Sequence, residues 1–175
     1  MVKRALYRVL KKSASLSFNI LNMCLAGNLP PLGCIAVIVE DQGHFLLLRR
    51  PEGDLVFPGG FMRWREHPMQ TAAREFDEET GLQVKLRHVV ACYSNSSASI
   101  DSMSTLTLVY CGEMRGGQMR ESIEGQPCWI EESKLRGMND FRYKCMLNDY
   151  CEHRSIHDEQ QYCGIPVRET TNEKV

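Results

Sequence analysis

Three features of the 175-residue sequence predict a mixed α/β (α+β) domain. Apolar runs of strand type recur at 34–39, 44–48, 84–93 and 103–111, separated by stretches rich in turn residues. One acidic stretch near the middle carries helix start and stop signals, Pro68 suiting the first turn and Gly81 a left-handed cap. Helical apolar spacing returns over 140–153, where Phe141, Cys145, Met146, Leu147 and Tyr150 mark one face. The expected division is a basic helical extension at 1–30, a globular domain at 31–155 and a polar, frayed tail at 156–175.

Composition narrows the class. Hydrophobic residues make up 43% and charged residues 25% of the chain, the balance of a globular protein rather than a disordered or fibrous one. Formal charge is −1, from 21 basic and 22 acidic residues, so no global basic field argues for nucleic acid. Eight cysteines occur without any Cys-x-x-Cys pair, which reads as a reducing, cytoplasmic setting rather than a disulfide scaffold or zinc ribbon. Cys145, Cys151, His153, His157 and Cys163 match no recognised zinc spacing.

The charge is unevenly placed. Lys3, Arg4, Arg8, Lys11 and Lys12 precede the first acidic residue, Glu40, so residues 1–39 carry +5 and the remainder −6. Ala5, Leu6, Val9 and Leu10 have helical spacing, and Leu16, Phe18, Ile20, Leu21, Met23 and Leu25 prolong the apolar segment until Gly27 and Pro30-Pro31 break it. The expectation is a helix that packs on the domain or on a partner subunit, as in a homodimer, and shows its basic face to water. An organellar presequence fits the basic, acid-poor composition in part, whereas Ser15, Ser17, Asn19 and Asn22 interrupt the apolar stretch a secretory signal needs. No stretch approaches the roughly 20 apolar residues of a membrane span.

The globular part begins with two apolar strands, 34–39 and 44–48, around the turn Glu40-Asp41-Gln42-Gly43, which reads as a hairpin. Arg49 and Arg50 close the second strand, and guanidinium groups bind phosphate oxygens in pairs. Leu55 to Gly60 reads as a short strand entering a glycine turn, where absent side chains let backbone groups approach a ligand or ion. On the helix that follows, Glu75, Glu78 and Glu79 share one face while Ala73, Phe76 and Thr80 point to the other. Like charges at that spacing cost a helix about 0.2 to 0.5 kcal/mol per pair. A hard divalent cation relieves that repulsion, because Mg²⁺ and Mn²⁺ take carboxylate and carbonyl oxygens and share them with substrate phosphates. Without its surroundings the same run would read as a solvated acidic face.

Its surroundings change that. Residues 60–82 resemble the signature of the Nudix hydrolases, GX5EX7REUXEEXGU with U bulky and apolar, through Gly60, Glu66, Arg74, Glu75, Phe76, Glu78, Glu79, Gly81 and Leu82. The resemblance spans roughly 31–151 and implies an α/β/α sandwich around a mixed β-sheet. It also implies a pyrophosphohydrolase, dependent on Mg²⁺ or Mn²⁺, for a nucleoside diphosphate linked to another moiety, such as a nucleotide sugar or dinucleotide. Glu75, Glu78 and Glu79 match the family's metal ligands, with a carbonyl from the Gly59–Gly60 region; Arg74 and Glu66 take structural roles, Arg74 steadying Glu78 and Glu66 fixing its loop. The family often carries basic residues at the position of Arg49 and Arg50, where they could meet substrate phosphates or simply end an exposed strand.

Beyond the helix, residues 94–99 form a serine-rich loop without the proline, tyrosine or Trp-Pro-Phe-Pro markers of subfamilies that cleave ADP-ribose, dinucleoside polyphosphates or NADH. Arg115, Gly116 and Gly117 read as a turn. The stretch from Glu121 to Trp129 resembles a loop of MutT-type enzymes in which a glutamate serves as further ligand or base, Glu124 being the candidate and Glu121 the alternative. Catalytic roles therefore fall to Glu78, Glu79 and Glu124, the proton acceptor being open among box and loop glutamates. Trp129 reads as core packing at a strand start rather than a base-stacking platform. Two other readings stand beside the small-molecule enzyme: an RNA 5′-end pyrophosphohydrolase using the basic extension on the phosphate backbone, and a non-catalytic nucleotide-sensing module, against which the intact carboxylates argue.

Overall fold

A computed structural model describes the backbone of residues 2–97, 99–138, 143–158 and 167–169, with side chains at 13–97, 99–138 and 143–155. The elements are α1 (Val2–Cys24), β1 (Leu32–Asp41), β2 (His44–Arg49), β3 (Leu55–Val56), β4 (Gly59–Phe61), α2 (Pro68–Thr80), β5 (Leu82–Asn95), β6 (Thr105–Gly117), β7 (Gln126–Glu131), α3 (Glu132–Gly137), α4 (Lys144–Asp158) and β8 (Val167–Glu169). The sheet runs β3-β2-β1-β6-β5-β8, with β4 on β1 and β7 on β2. It is mixed: β1 and β6 are parallel, as are β5 and β8, while the other pairs are antiparallel.

Two-residue periodicity divides the core between the sheet's faces. Ile35, Val37 and Val39 of β1 cluster with Ala72 and Phe76 of α2, whereas Ala36 and Ile38 cluster with Leu135 of α3 and Met146, Leu147 and Cys151 of α4. The result is the expected α/β/α sandwich, with α4 on the face opposite α2. Trp129 packs against the α2-side cluster from its place opposite Leu46. Phe141 lies outside the described residues, as do Cys163, the His157 side chain and most of the tail; within the tail, Val167–Glu169 pairs with β5 rather than fraying.

The expected hairpin is present, β1 and β2 pairing antiparallel through Glu40–Phe45 and Asp41–His44; beyond it β1 pairs with β4 and β6, and β2 with β3 and β7. A strand apolar on both faces, as β1 is, belongs in the sheet centre, and the hairpin turn is only its hinge. Residues 115–117 do not turn: β6 runs on to Gly117 opposite Leu82, and positive φ at both glycines accompanies a register shift, so they form a bulge. On α2, Ala73 is exposed and Glu79 is buried in its stead, beside Ala72, Phe76 and Thr80.

α1 packs on the domain through its polar side, while the side chains of its basic residues lie outside the described ones. In its described half the polar side faces the domain: Ser15 is buried, and the Asn19 amide donates to the carbonyls of Ile100 and Ser102 in the β5–β6 connection. Asn22 Oδ1 accepts from the Leu29 amide after the helix has ended. Leu16, Ile20, Leu21 and Met23 are left exposed.

β4 is placed by a glycine. Gly59 sits at φ +154, and a Cβ there would lie 2.0 Å from the Ile35 carbonyl oxygen, so β4 reaches β1 only without a side chain. Gly53 also has positive φ, +98, but open space around it. Gly59→Ala is expected to lower the melting temperature far more than Gly53→Ala, whose cost of about 1 to 2 kcal/mol is backbone strain alone; thermal denaturation followed by circular dichroism measures the difference.

Candidate active site

α2 is set by its ends. His67 caps it through a reciprocal pair, its ring accepting from the Met69 amide while Gln70 Oε1 accepts from the His67 amide at 2.9 Å. Pro68 takes the first helical position, and Gly81 ends the helix at φ 75 with its amide donating to the Asp77 carbonyl, as the sequence signals indicate. Between these caps the carboxylates divide by environment. Glu79 is 3% exposed, Glu75 is mostly buried and Glu78 is half exposed.

Arg74 is the hub. Its Nε and Nη2 donate to the two oxygens of Glu66 at 2.6 and 2.8 Å, and its Nη1 to Glu75 at 2.7 Å and Glu78 at 3.2 Å. Glu66 also accepts from the Arg63 amide at 2.9 Å and the Thr71 hydroxyl at 2.7 Å, so it holds the loop ahead of α2 in the way the resemblance implies. Arg74 orients Glu78, but its principal partner is Glu66. The paired Arg74 guanidinium, with the Arg63 amide, holds the Glu66 carboxyl well below the ordinary carboxylate range, and Glu66 in turn raises Arg74.

Glu79 is the opposite case. Its Oε2 accepts from the Gly59 amide at 2.8 Å. Burial, then the charge of Glu124 and a hydrogen bond shared with it, then Glu75, push its carboxyl up to about 9. Glu79 on α2 and Glu124 in the loop before β7 thus form a pair. Ser122 braces that loop through its hydroxyl on the Glu124 and Gly125 amides, each at 3.3 Å, while Glu121 is exposed. Gly125 brings the loop to the end of β2, where a Cβ would lie 2.7 Å from the Arg49 carbonyl oxygen and 3.4 Å from Arg50 Cα. Arg49 and Arg50 therefore stand beside the Glu124 loop.

Gly60 makes room for Glu75: a Cβ at 60 would lie 2.6 Å from the Glu75 carboxyl carbon. All donors of this set are carboxylate oxygens, the type a hard divalent cation takes. Among the described residues no three carboxylate, imidazole or thiolate groups stand close enough to hold an ion as they are. Arg74 engages Glu75 and Glu78, and Arg63 engages Glu78. The donors fit a hard divalent cation in kind and in charge.

Sequence reading missed Arg63, whose Nη2 lies 3.2 Å from both Glu78 oxygens, because it occupies an undefined position of the motif. It also missed Arg120, which donates to the Asp77 carbonyl at 3.3 Å and ties the loop after β6 to the last turn of α2. Next to Arg63, Trp64 is 89% exposed with the Arg65 guanidinium 5.1 Å from its ring; no motif position announces that platform. Glu66→Gln is expected to lower stability near neutral pH, and the gap from the parent protein should close on acidification below the ordinary 4.5. The sign follows from a depressed carboxylate, whose stabilisation is present above the unfolded-state value and is lost as pH falls through the folded-state one. Melting curves across the acid range test it.

Comparison with known proteins agrees with this geometry. The family profile described as NUDIX domain matches residues 29–147. A MutT-like protein of Streptomyces ambofaciens is 33% identical over 99 residues, covering 54% of this chain and 61% of that protein, so the chain spans less than two thirds of that relative's length. An ADP-ribose pyrophosphatase of Methanocaldococcus jannaschii is 23% identical over 126 residues, 70% of this chain and 74% of that protein. A crystal structure of a NUDIX hydrolase from Nitrosomonas europaea superposes with a TM-score of 0.65 at 25% identity, covering 81% of each chain. With its motif intact, its sandwich shared and its profile match extending over most of its length, the chain belongs to the NUDIX family.

Proposed function

We propose that the chain is a pyrophosphohydrolase that uses Mg²⁺ or Mn²⁺ to cleave the diphosphate bond of a nucleoside diphosphate linked to another moiety. The observation that carries this reading is Glu79, a buried carboxyl that shares a hydrogen bond with Glu124 and is repelled by Glu75. Glu75, Glu78, Glu79 and Glu124, with the Gly60 carbonyl, would hold the cation. Once bound, it neutralises charge on the phosphoryl oxygens and makes a water more acidic. Arg74 and Arg63 orient Glu75 and Glu78, and Arg49 and Arg50, beside the Glu124 loop, would clamp the phosphates. The proton acceptor is one of Glu78, Glu79 and Glu124. Similarity to an ADP-ribose pyrophosphatase supports a nucleoside diphosphate derivative as substrate class.

The direct test is hydrolysis by the purified protein, with Mg²⁺ or Mn²⁺, of a panel of nucleotide sugars, dinucleotides and 5′-triphosphorylated RNA, read as released phosphate or monophosphate. Turnover of RNA alone would move the substrate class to RNA ends; binding without turnover would identify a sensing module. Glu78→Gln is expected to lower turnover by orders of magnitude with the fold intact, and Glu124→Gln to impair it more than Glu121→Gln; near-normal rates in Glu78→Gln would overturn the site assignment.

Cation binding also carries a pH signature. A carboxyl raised from 4.5 to about 9 keeps in the folded chain a proton that the unfolded chain has already lost, so cation-free stability falls as pH rises across that interval. A cation competes with that proton, so the rise in melting temperature on adding Mg²⁺ should grow over the same interval. Glu79→Gln should remove both trends in melts recorded with chelator and with Mg²⁺.

A further inference from the structure

We propose that α1 is an interfacial helix that seats the protein on an anionic lipid bilayer. The first observation is its orientation. A surface helix normally turns its apolar stripe inward. Here Ser15 is buried and Asn19 is tied to the carbonyls of Ile100 and Ser102 at 2.7 and 2.6 Å, so the polar side is the side that faces the domain. Leu16, Ile20 and Met23 follow one another at helical spacing on the outside, at 41%, 49% and 69% exposure, and Leu21 is exposed on the opposite flank. Ile100, in the loop that Asn19 holds, is also 52% exposed. An apolar surface of this kind on a soluble domain marks a place where something else binds.

The second observation, independent of the first, is charge. Residues 1–39 carry five basic side chains and no acidic one, while the rest of the chain carries −6. A helix of 23 residues with an exposed aliphatic stripe, basic residues and no acidic ones has the composition of helices that lie in the headgroup layer. Among the described residues no helix is long and apolar enough to cross a membrane. Nucleic acid is the weaker match, because the large exposed side chains from Leu16 to Leu25 are apolar and offer neither guanidinium nor aromatic contacts. A second copy packed helix to helix would bring two +5 segments together, which is repulsive.

The experiment is co-sedimentation of the full chain with vesicles of phosphatidylcholine mixed with phosphatidylglycerol, against phosphatidylcholine alone, at low and high salt. Binding is expected on the anionic vesicles and should weaken with salt. Leu16→Glu and Ile20→Glu, at exposed positions that leave the melting temperature unchanged, should each weaken it by about tenfold or more, the equivalent of one aliphatic side chain no longer buried. Equal binding to both vesicle types, or undiminished binding by the two variants, overturns the proposal. So does a dimer in lipid-free buffer that Ile20→Glu converts to monomer, which assigns the face to a second copy. Salt-sensitive binding of single-stranded RNA that both variants retain, without vesicle binding, assigns the basic segment to nucleic acid instead.

Discussion

The site depends on one guanidinium. Arg74 lies on α2 between three carboxylates and a backbone carbonyl, meeting Glu66, Glu75, Glu78 and the Phe61 oxygen. The forked, always-charged group can satisfy several acceptors in fixed directions, which an ammonium cannot. Through Glu66 it fixes the loop from Arg63 to His67; through Glu75 and Glu78 it sets the first turn of acceptors that a cation would share. Without it, like charges on one helical face would repel and the loop would lose its principal clamp.

Against that clamped set, Glu79 is held in the opposite condition. It is buried among the apolar residues that seat α2 on the sheet, where a charge is expensive, and its partners are an amide and a second carboxyl. One helix thus carries carboxylates paired with Arg74 and a carboxyl that burial raises. That contrast is the usual arrangement of a site waiting for positive charge, and it arises from whether each position faces Arg74 or the sheet. The glycines serve the same end, Gly59 by letting β4 touch β1 and Gly60 by leaving space for Glu75.

The N-terminal helix belongs to a different logic. Its polar side is satisfied by the domain and its apolar side is not, so packing within one chain leaves it incomplete. A surface for the helix outside the molecule would also account for why its basic residues cluster where the remainder of the chain is acidic. The site and the helix are then separate devices, one for chemistry and one for location.

Much of this was legible in one dimension. The motif from Gly60 to Leu82, the caps of α2 at Pro68 and Gly81, and the period-two burial of β1 all depend on residues close in sequence, and local sterics and helix geometry determine them. What the sequence left open was every relation across long chain separation. That Glu124 rather than Glu121 meets Glu79, that Arg63 reaches Glu78, that Glu79 rather than Ala73 is buried, and that β1 lies between β2 and β6 are decided by sheet pairing and loop placement. The helix α1 makes the same point: its spacing predicts amphipathicity, but which side faces inward depends on the carbonyls of Ile100 and Ser102, more than eighty positions away, and only the folded chain brings them to Asn19.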